Sequence, residues 1–246
     1  MGKNRNNSVR RLPHNIIRTI SKSGLCSRKE ALRLVLDGKV EVNGRAVADP
    51  GMKIASSDKV LVNGQPLAAK RKRYILLNKP RGCVTTRKDE RGRPTVYEYL
   101  KDVEGWVFPV GRLDRESEGL LIFTNDTKYG NRLTDPRYNV ERTYLVRVSG
   151  EATAVDIRKM LSGINIGHGE TARPLSVRII AADNVSSLLE IILNEGKNRE
   201  IRRMLDAIGV DVTMLKRTRY GPFRLGNLKP GKWAEVKLPK SGGLEK

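Results

Sequence analysis

The sequence predicts an α+β fold divided into two domains. The chain has 246 residues, 38% of them hydrophobic, and this is enough for a small domain and a medium one with separate cores. Segments with helical and strand periodicity follow one another irregularly, which favours α+β over a regular βαβ alternation. A charged run at 70–73 separates shorter segments from longer ones and is the predicted linker.

The segment 14–69 is the predicted first domain. The polar, basic stretch before it, residues 1–13, is expected to be a disordered arm. Isoleucines at helical spacing after His14 predict a first helix that ends at Gly24. Two alternating segments further along, each closed by Asn-Gly, predict short hairpins. The domain is therefore expected to contain two helices followed by a small β unit.

The second predicted helix opens at Ser27. Ser27 and Glu30 have the spacing of a capping box, in which each side chain accepts a hydrogen bond from the backbone N–H of the other. Gly38 is the predicted stop. The apolar face is predicted to consist of Ala31, Leu32, Val35 and Leu36.

The second domain is predicted at 74–239, and the polar tail at 240–246 is expected to be loose. Strand patterns occur at 74–78, 120–124, 143–149, 176–181, 187–193 and 213–218. Helix patterns occur at 126–133, 152–161 and 198–208. The pattern predicts a sheet with helices inserted irregularly between its strands.

The charge indicates a polyanionic partner. The net charge is +21, and residues 1–73 alone carry 17 basic and 5 acidic side chains. Phosphate backbones are the usual partner of such an excess; the alternative is a generally basic protein. No apolar run is long enough for a transmembrane helix, and no secretory signal is visible, so no membrane partner is predicted.

The chain lacks the common signatures of metal and cofactor sites. Cys26 and Cys83 are too few for a disulfide framework or a thiol-rich metal site, and free thiols favour a cytoplasmic location. His14 and His168 are far apart in sequence. There is no Walker loop and no glycine-rich pocket for a methyl donor. We therefore predict no metal and no cofactor.

One carboxylate stands out. Asp114 precedes an apolar strand and is flanked by Arg112 and Arg115. A carboxylate between cations is expected to be ionised, and an ionised carboxylate held in place is a usable nucleophile. The spacing alone favours a structural Asp–Arg pair over a catalytic carboxylate.

The first domain resembles a known RNA-binding module. The stretches GLCSRKEA at 24–31 and GKVEVNG at 38–44 are similar to the alpha-L RNA-binding domain of the ribosomal S4 type. In that family the two helices and the following turn grip structured RNA. The resemblance implies RNA contacts from Arg28, Lys29, Arg33, Lys39 and Asn43; a solvated helix face is the alternative for the cationic side chains.

The second domain resembles the pseudouridine synthases. GRLD at 111–114 followed by SEGLL at 117–121 is similar to their signature. Five further stretches narrow the resemblance to the RsuA/RluB type, which acts on ribosomal RNA: NKPRG, RGRPTV, VERTY, NEGKNREIRRM and LKRTRYGP. The resemblance covers about residues 14–238. It implies a catalytic domain built on a mixed, largely antiparallel sheet with flanking helices.

The resemblance also implies catalytic roles. Asp114 would act on the target uridine, whose N-glycosidic bond breaks and whose ribose carbon-1 rejoins the uracil at carbon-5. Whether the carboxylate first attacks the ribose or the base is left open. Tyr144 would stack on the uracil and help remove the carbon-5 proton, and Arg202 would pair with Asp114. Because a stacked base cannot react, the nucleotide must be flipped out.

Four residues are expected to bind the substrate: Arg112, Leu121, Lys197 and Arg203. Arg112 suits a phosphate beside the extruded nucleotide, and Leu121 would be a wall of the uracil pocket. Large-subunit ribosomal RNA, free or in an assembly intermediate, is the favoured substrate, and the enzyme is expected to be a monomer.

Two alternatives remain. One is a catalytically silent RNA-binding or ribosome-assembly protein on the same fold, and the presence of Asp114, Tyr144 and Arg202 argues against it. The other is a methyltransferase with the same first domain, which the missing donor pocket disfavours.

Overall fold

The computed structural model describes residues 14–238. The predicted arm at 1–13 and the predicted tail at 240–246 lie outside the described residues. The chain divides into two compact units between Lys72 and Arg73. Arg73, which we assigned to the linker, lies in the second unit. Its backbone N–H donates to Asn125 Oδ1 at 2.9 Å, and its guanidinium pairs with Glu235 at 2.7 Å.

Within residues 14–72, the first unit contains two helices and six short strands. The helices are α1 (Ile16–Lys22) and α2 (Arg28–Leu36). The strands are β1 (His14–Asn15), β2 (Val40–Val42), β3 (Arg45–Ala46), β4 (Lys53–Ile54), β5 (Val60–Val62) and β6 (Gln65–Pro66). Strands β3-β2-β5-β6 form one antiparallel sheet in that order, and β1 pairs with β4.

The local signals in this unit are confirmed. The capping box is present: Ser27 N–H donates to Glu30 Oε2 at 2.9 Å, and Glu30 N–H donates to Ser27 Oγ at 3.2 Å. Asn43 and Asn63, at φ 53° and 51°, form the two predicted hairpin turns. The expected apolar face is wrong at Leu36, which is 64% exposed because it is the last residue of α2.

The second unit is built on a nine-stranded sheet. Its longer strands are β7 (Tyr74–Lys79), β9 (Glu118–Thr124), β10 (Arg142–Ser149), β13 (Ser176–Ala182), β14 (Ser186–Leu193) and β15 (Val212–Tyr220). The shorter strands of the unit are β8 (Phe108–Pro109), β11 (Ile164–Asn165), β12 (Thr171–Ala172), β16 (Phe223–Arg224) and β17 (Trp233–Val236). Strands β11 and β12 pair apart from the main sheet.

The sheet order is β13-β14-β10-β15-β9-β7-β17, with β16 on β15 and β8 on β9. Strands β15 and β9 are parallel, and the other pairs are antiparallel. The expected mixed, largely antiparallel sheet is therefore confirmed. All six predicted strands of this domain are present, whereas the shorter strands β8, β11, β12, β16 and β17 were not predicted.

Helices cover both faces of the sheet. They are α3 (Thr127–Thr134), α4 (Ala154–Ser162) and α5 (Glu200–Asp206), with 3-10 turns at Val96–Leu100 and Pro136–Tyr138. Met160 and Met204 join the apolar cluster on one face, and Leu133 joins the cluster on the other. Successive residues of β9 belong alternately to the two clusters, so this strand is buried on both faces. No helix within residues 14–238 is both long and apolar enough to span a membrane.

Candidate active site

A cavity of about 460 Å³ opens where the loop before β9 meets the start of β10, the end of β14 and β15. This volume is in the range usual for ligand pockets. Five of its lining residues are basic, namely Arg112, Arg142, Lys197, Arg199 and Arg217. Three are acidic, namely Asp114, Glu195 and Glu200. The cavity therefore combines a cationic wall, which suits phosphate, with a few carboxylates.

Asp114 lies at this cavity on the loop that leads into β9. Its side chain is 35% exposed, and its carboxylate Oδ2 lies 3.9 Å from Nη1 of Arg199. The Ser117 N–H donates to the Asp114 carbonyl at 3.1 Å and tightens the loop. Arg112 lines the same cavity, is exposed, and makes no hydrogen bond or ion pair with any residue in 14–238. Asp114 and Arg112 thus line the same cavity.

Tyr144 forms another wall of the cavity. It is 8% exposed and lies on β10, opposite Arg217 of β15. Its hydroxyl has no hydrogen-bond partner in the described part of the chain. Apolar side chains complete the lining: Leu113, Leu193, Ile201 and Leu215. A flat, apolar ligand with polar edges matches such a lining.

The expectation for Leu121 is wrong. Leu121 is fully buried in the core of the unit and does not line the cavity. Because β9 is covered on both faces, an apolar run there does not show which side chains reach a ligand. The leucines that line the cavity are Leu113, Leu193 and Leu215.

Arg202 does not pair directly with Asp114. Its guanidinium donates to the carbonyl of Glu116 at 3.1 Å and to the carbonyl of Val212 at 3.3 Å. The cation near the carboxylate is Arg199, which precedes α5 in a left-handed conformation with φ 48°. Burial, and to a lesser degree Arg199, lower the pKa of Arg202 from its ordinary value. Arg202 therefore ties α5 and β15 to the loop that carries Asp114.

The two remaining candidates for substrate binding, Arg203 and Lys197, form ion pairs and hydrogen bonds within the protein. The Arg203 guanidinium pairs with Glu170 at 2.6 Å and also donates to backbone carbonyls of Ile166 and Gly167. It does not line the cavity, so its expected contact with substrate is not supported. Lys197 does line the cavity, but its ammonium pairs with Glu195 at 2.6 Å and donates to the Thr171 carbonyl at 2.7 Å.

Lys79 is a supporting residue that our sequence analysis missed. It is fully buried, and burial lowers the pKa of its ammonium. The ammonium donates to the carbonyls of Ser117 at 2.8 Å and Pro80 at 3.1 Å, and lies 3.4 Å from that of Arg115. Three carbonyls on one cation fix the loop after Asp114. The NKPRG stretch, which contains Lys79, is the sequence feature from which its role could have been inferred.

The sequence analysis also did not identify two buried arginines of the cavity wall, Arg142 and Arg217. The guanidinium carbons of Arg142 and Arg217 lie 4.7 and 4.8 Å from the ring centroid of Tyr220. Arg142 donates to the Tyr220 hydroxyl at 3.1 Å, and Arg217 donates to the Leu120 carbonyl at 2.8 Å. These contacts hold two cations at the cavity wall with little freedom to move. Strand-borne arginines gave no periodic signal in the sequence.

The first unit presents a separate cationic surface. Arg28, Lys29, Arg33 and Lys39 are exposed, and their side chains make no hydrogen bond or ion pair with any residue in 14–238. Asn43 is different: its amide donates to Asp58 at 3.0 Å, and its carbonyl accepts from the Lys59 N–H at 3.0 Å. The Asn43 side chain thus holds the turn, which argues against the predicted RNA contact.

The structure offers no grouped metal ligands. In the part of the chain that it describes, no three His, Cys, Asp or Glu side chains come together in a way that could hold a metal ion.

Comparison with known proteins agrees with this geometry. The family model described as RNA pseudouridylate synthase matches residues 73–207, and the S4 domain model matches residues 17–60. A crystal structure described as pseudouridylate synthase superposes with a TM-score of 0.63 at 25% identity, covering 91% of this chain and 96% of that one.

Two curated relatives match along most of their length. An uncharacterized RNA pseudouridine synthase of Aquifex aeolicus (strain VF5) is 43% identical over 220 residues, which is 88% of each chain. Ribosomal large subunit pseudouridine synthase B of Bacillus subtilis (strain 168) is 36% identical over 221 residues, covering 89% of this chain and 90% of the relative. This chain therefore belongs to the RNA pseudouridylate synthase family and is a pseudouridine synthase with an N-terminal S4 domain.

Proposed function

We propose that this enzyme isomerises uridine to pseudouridine in ribosomal RNA, and that its substrate is large-subunit rRNA. The observation that carries the proposal is the meeting of Asp114, Tyr144 and Arg199 at one cavity. The Bacillus subtilis relative, named for the large subunit, supports the choice of RNA. The net charge of +21 suits a phosphate-rich substrate.

Asp114 is the proposed catalytic carboxylate. The reaction needs no external group: the bond between ribose carbon-1 and uracil N1 breaks, N1 gains a proton, and carbon-1 bonds to carbon-5, which loses its proton. A carboxylate that bonds transiently to substrate divides this rearrangement into easier steps. Arg199, at 3.9 Å, places a positive charge beside the carboxylate before attack.

Tyr144 is proposed to stack on the flipped uracil and to help remove the carbon-5 proton. Its ring lines the cavity, and its hydroxyl is not used by another residue in 14–238. Leu113 and Leu215 offer the apolar surface that an extruded base requires. Flipping the base costs about a few kcal/mol of unstacking, and the cationic wall, with exposed Arg112, is proposed to hold the distorted backbone.

Substitutions of Arg199 and Arg202 are predicted to have different effects on kcat and Tm. Arg199→Met should lower kcat by about tenfold to a hundredfold without changing Tm, because an exposed ion pair contributes only about 0.2–1 kcal/mol to stability. Arg202→Met should lower both kcat and Tm, since hydrogen bonds from a cation to buried carbonyls contribute about 1.5–3 kcal/mol each to stability. Single-turnover kinetics and thermal melting on the same preparations distinguish them. Equal Tm losses in the two variants would contradict this division of roles.

The cationic face of α2 is proposed to bind RNA backbone. Replacing Arg28, Lys29 and Arg33 together by alanine should weaken RNA binding about tenfold to a hundredfold and reduce the slope of log affinity against log salt by about 2. Filter binding over a salt series measures both quantities. The control is Arg158→Ala with Lys159→Ala, which removes two exposed cations from α4. An equal loss per charge removed would show that only overall charge matters.

The choice of substrate is tested with purified enzyme and two transcripts, large-subunit and small-subunit rRNA, each labelled with tritium at uracil carbon-5. Pseudouridine formation releases this tritium to water. We expect release from the large-subunit transcript and none above background from the other. Release only from the small-subunit transcript would overturn the large-subunit proposal, and release from neither would overturn the ribosomal one.

We further propose that the enzyme works as a monomer in the cytoplasm. Cys26 and Cys83 are free thiols, as suits a reducing compartment. Sedimentation of the enzyme alone and with an RNA fragment tests the stoichiometry, and a dimer in either sample would contradict it.

A further inference from the structure

Glu200 is a buried carboxyl group in the cavity wall that the mechanism above does not use. It is 4% exposed and directly follows Arg199, the cation beside Asp114. Its Oε2 accepts a hydrogen bond from the Lys197 N–H at 3.0 Å. Its Oε1 is buried, and no donor in the described chain reaches it. An acceptor oxygen that is buried without a donor is costly if it carries charge.

Glu195 is a second acid in the cavity wall, and its side chain is within hydrogen-bonding reach of Glu200. Two carboxylates in contact cannot both ionise easily, so one of them keeps a proton. Burial, with a further contribution from Glu195, raises the pKa of Glu200 to about 8. Glu195 is the ionised partner because Lys197 pairs with it at 2.6 Å.

The other charged groups around this pair are already engaged. From β10, Arg142 donates to the backbone carbonyl of Glu195 at 2.7 Å. One turn along α5, Arg203 pairs with Glu170 at 2.6 Å. Arg199 lies toward Asp114. Lys197 is thus the cation available to the two acids, and its single charge neutralises only Glu195.

A proton on Glu200 satisfies both acids. Protonated Oε1 donates to the Glu195 carboxylate, while Oε2 still accepts from Lys197 N–H. The Glu195–Glu200 hydrogen bond then joins the two ends of the segment 195–200, and the Lys197–Glu200 hydrogen bond holds its middle. Arg199 lies inside this closed segment, so its position relative to Asp114 depends on the closure.

We propose that Glu200 is a positioning residue that works in its protonated form, closing the segment 195–200 on Glu195 and thereby holding Arg199 beside Asp114. This inference rests on the proposed function of the same cavity. Loss of the proton places two negative charges in contact and opens the segment. The substrate does not need to touch Glu200 for this effect.

The direction of the pH dependence follows from the protonated form of Glu200 being the one that closes the segment. Below the pKa of Glu200 the proton is present and the segment is closed; above it, the segment opens. The rate is therefore expected to fall on the alkaline side, by about tenfold one pH unit above that pKa. The folded-state pKa is raised above the ordinary carboxyl value, so folding also becomes less favourable as pH rises through the interval between the two.

The experiment compares wild type with Glu200→Gln, which has the same shape and a permanent NH₂ donor but cannot ionise. Tritium release under single-turnover conditions is measured from about pH 6 to about pH 9, with Glu151→Gln, an exposed acid, as control. We expect the ratio of rates at high and neutral pH to be about tenfold larger for Glu200→Gln than for wild type or control. Thermal melting over the same range should show wild type losing Tm relative to Glu200→Gln as pH rises.

The outcomes separate this inference from the proposed function. An alkaline fall of equal size in wild type and Glu200→Gln, with parallel melting curves, overturns the role of Glu200 and leaves the synthase activity standing. Absence of tritium release from every protein, wild type included, overturns the proposed function instead. In that case the melting curves still decide whether Glu200 carries a proton, because they need no substrate.

Discussion

Asp114→Asn is expected to abolish pseudouridine formation while leaving the fold and RNA binding intact. The amide keeps the shape of the side chain but is not an anionic nucleophile, so we expect the rate to fall on the order of 10⁴-fold or more. Asp114 is 35% exposed and has one long ion pair, to Arg199 at 3.9 Å. Removing that pair should change the free energy of unfolding by less than about 1 kcal/mol.

The matched control is Glu116→Gln, which removes the same charge from the same loop. The Glu116 carboxylate pairs with Arg81 at 3.0 Å and does not line the cavity. Tritium release and filter binding should separate the two variants: Asp114→Asn binds RNA and releases nothing, whereas Glu116→Gln loses far less activity. Comparable rates in both variants would contradict a catalytic role for Asp114.

The largest effect on stability is expected from Gly119→Ala. Gly119 has φ +97°, and an added Cβ would lie 2.3 Å from the Arg217 carbonyl oxygen and 2.8 Å from the Arg217 nitrogen. These are backbone atoms of the parallel partner strand β15, so β9 and β15 must separate. Backbone strain and overpacking each cost about 1–3 kcal/mol. We expect Tm to fall by roughly 10 °C and activity to fall with it, since the loop from Asp114 enters β9 here.

The control for this substitution is Gly105→Ala. Gly105 also has a positive φ, +76°, but an added Cβ would meet nothing within 4 Å. It therefore reports the cost of the backbone conformation without the strand contact. If differential scanning calorimetry gave the same Tm for the two variants, the close approach of β9 and β15 would not be what requires glycine.

The elements defined by local chemistry were predictable from the sequence. The capping box at Ser27 and the Asn-Gly turns depend on neighbouring residues only, and both are present. Strand β14 alternates buried and partly buried residues from Ser187 to Leu193, so its apolar period was readable. Asp114 and Tyr144 came from motif resemblance, and the structure places both at one cavity.

The contacts that depend on distant parts of the chain were not predictable. The helix pattern at 198–208 gave no sign that α5 begins only at Glu200, because the left-handed conformation of Arg199 is set by its surroundings. Arg199, and not Arg202, is the cation that lies near Asp114. The donors of Arg203 are used by the loop at 166–170, which no local pattern reveals.

The central claim, that Asp114 converts uridine to pseudouridine in large-subunit rRNA, is tested most directly by mapping pseudouridine in both rRNAs with carbodiimide treatment and primer extension. Three strains are compared: wild type, a strain lacking this gene, and that strain complemented with Asp114→Asn. We predict that a large-subunit stop disappears on deletion, returns with the wild-type gene, and does not return with Asp114→Asn. A stop restored by Asp114→Asn, or no change in either rRNA on deletion, would contradict the account.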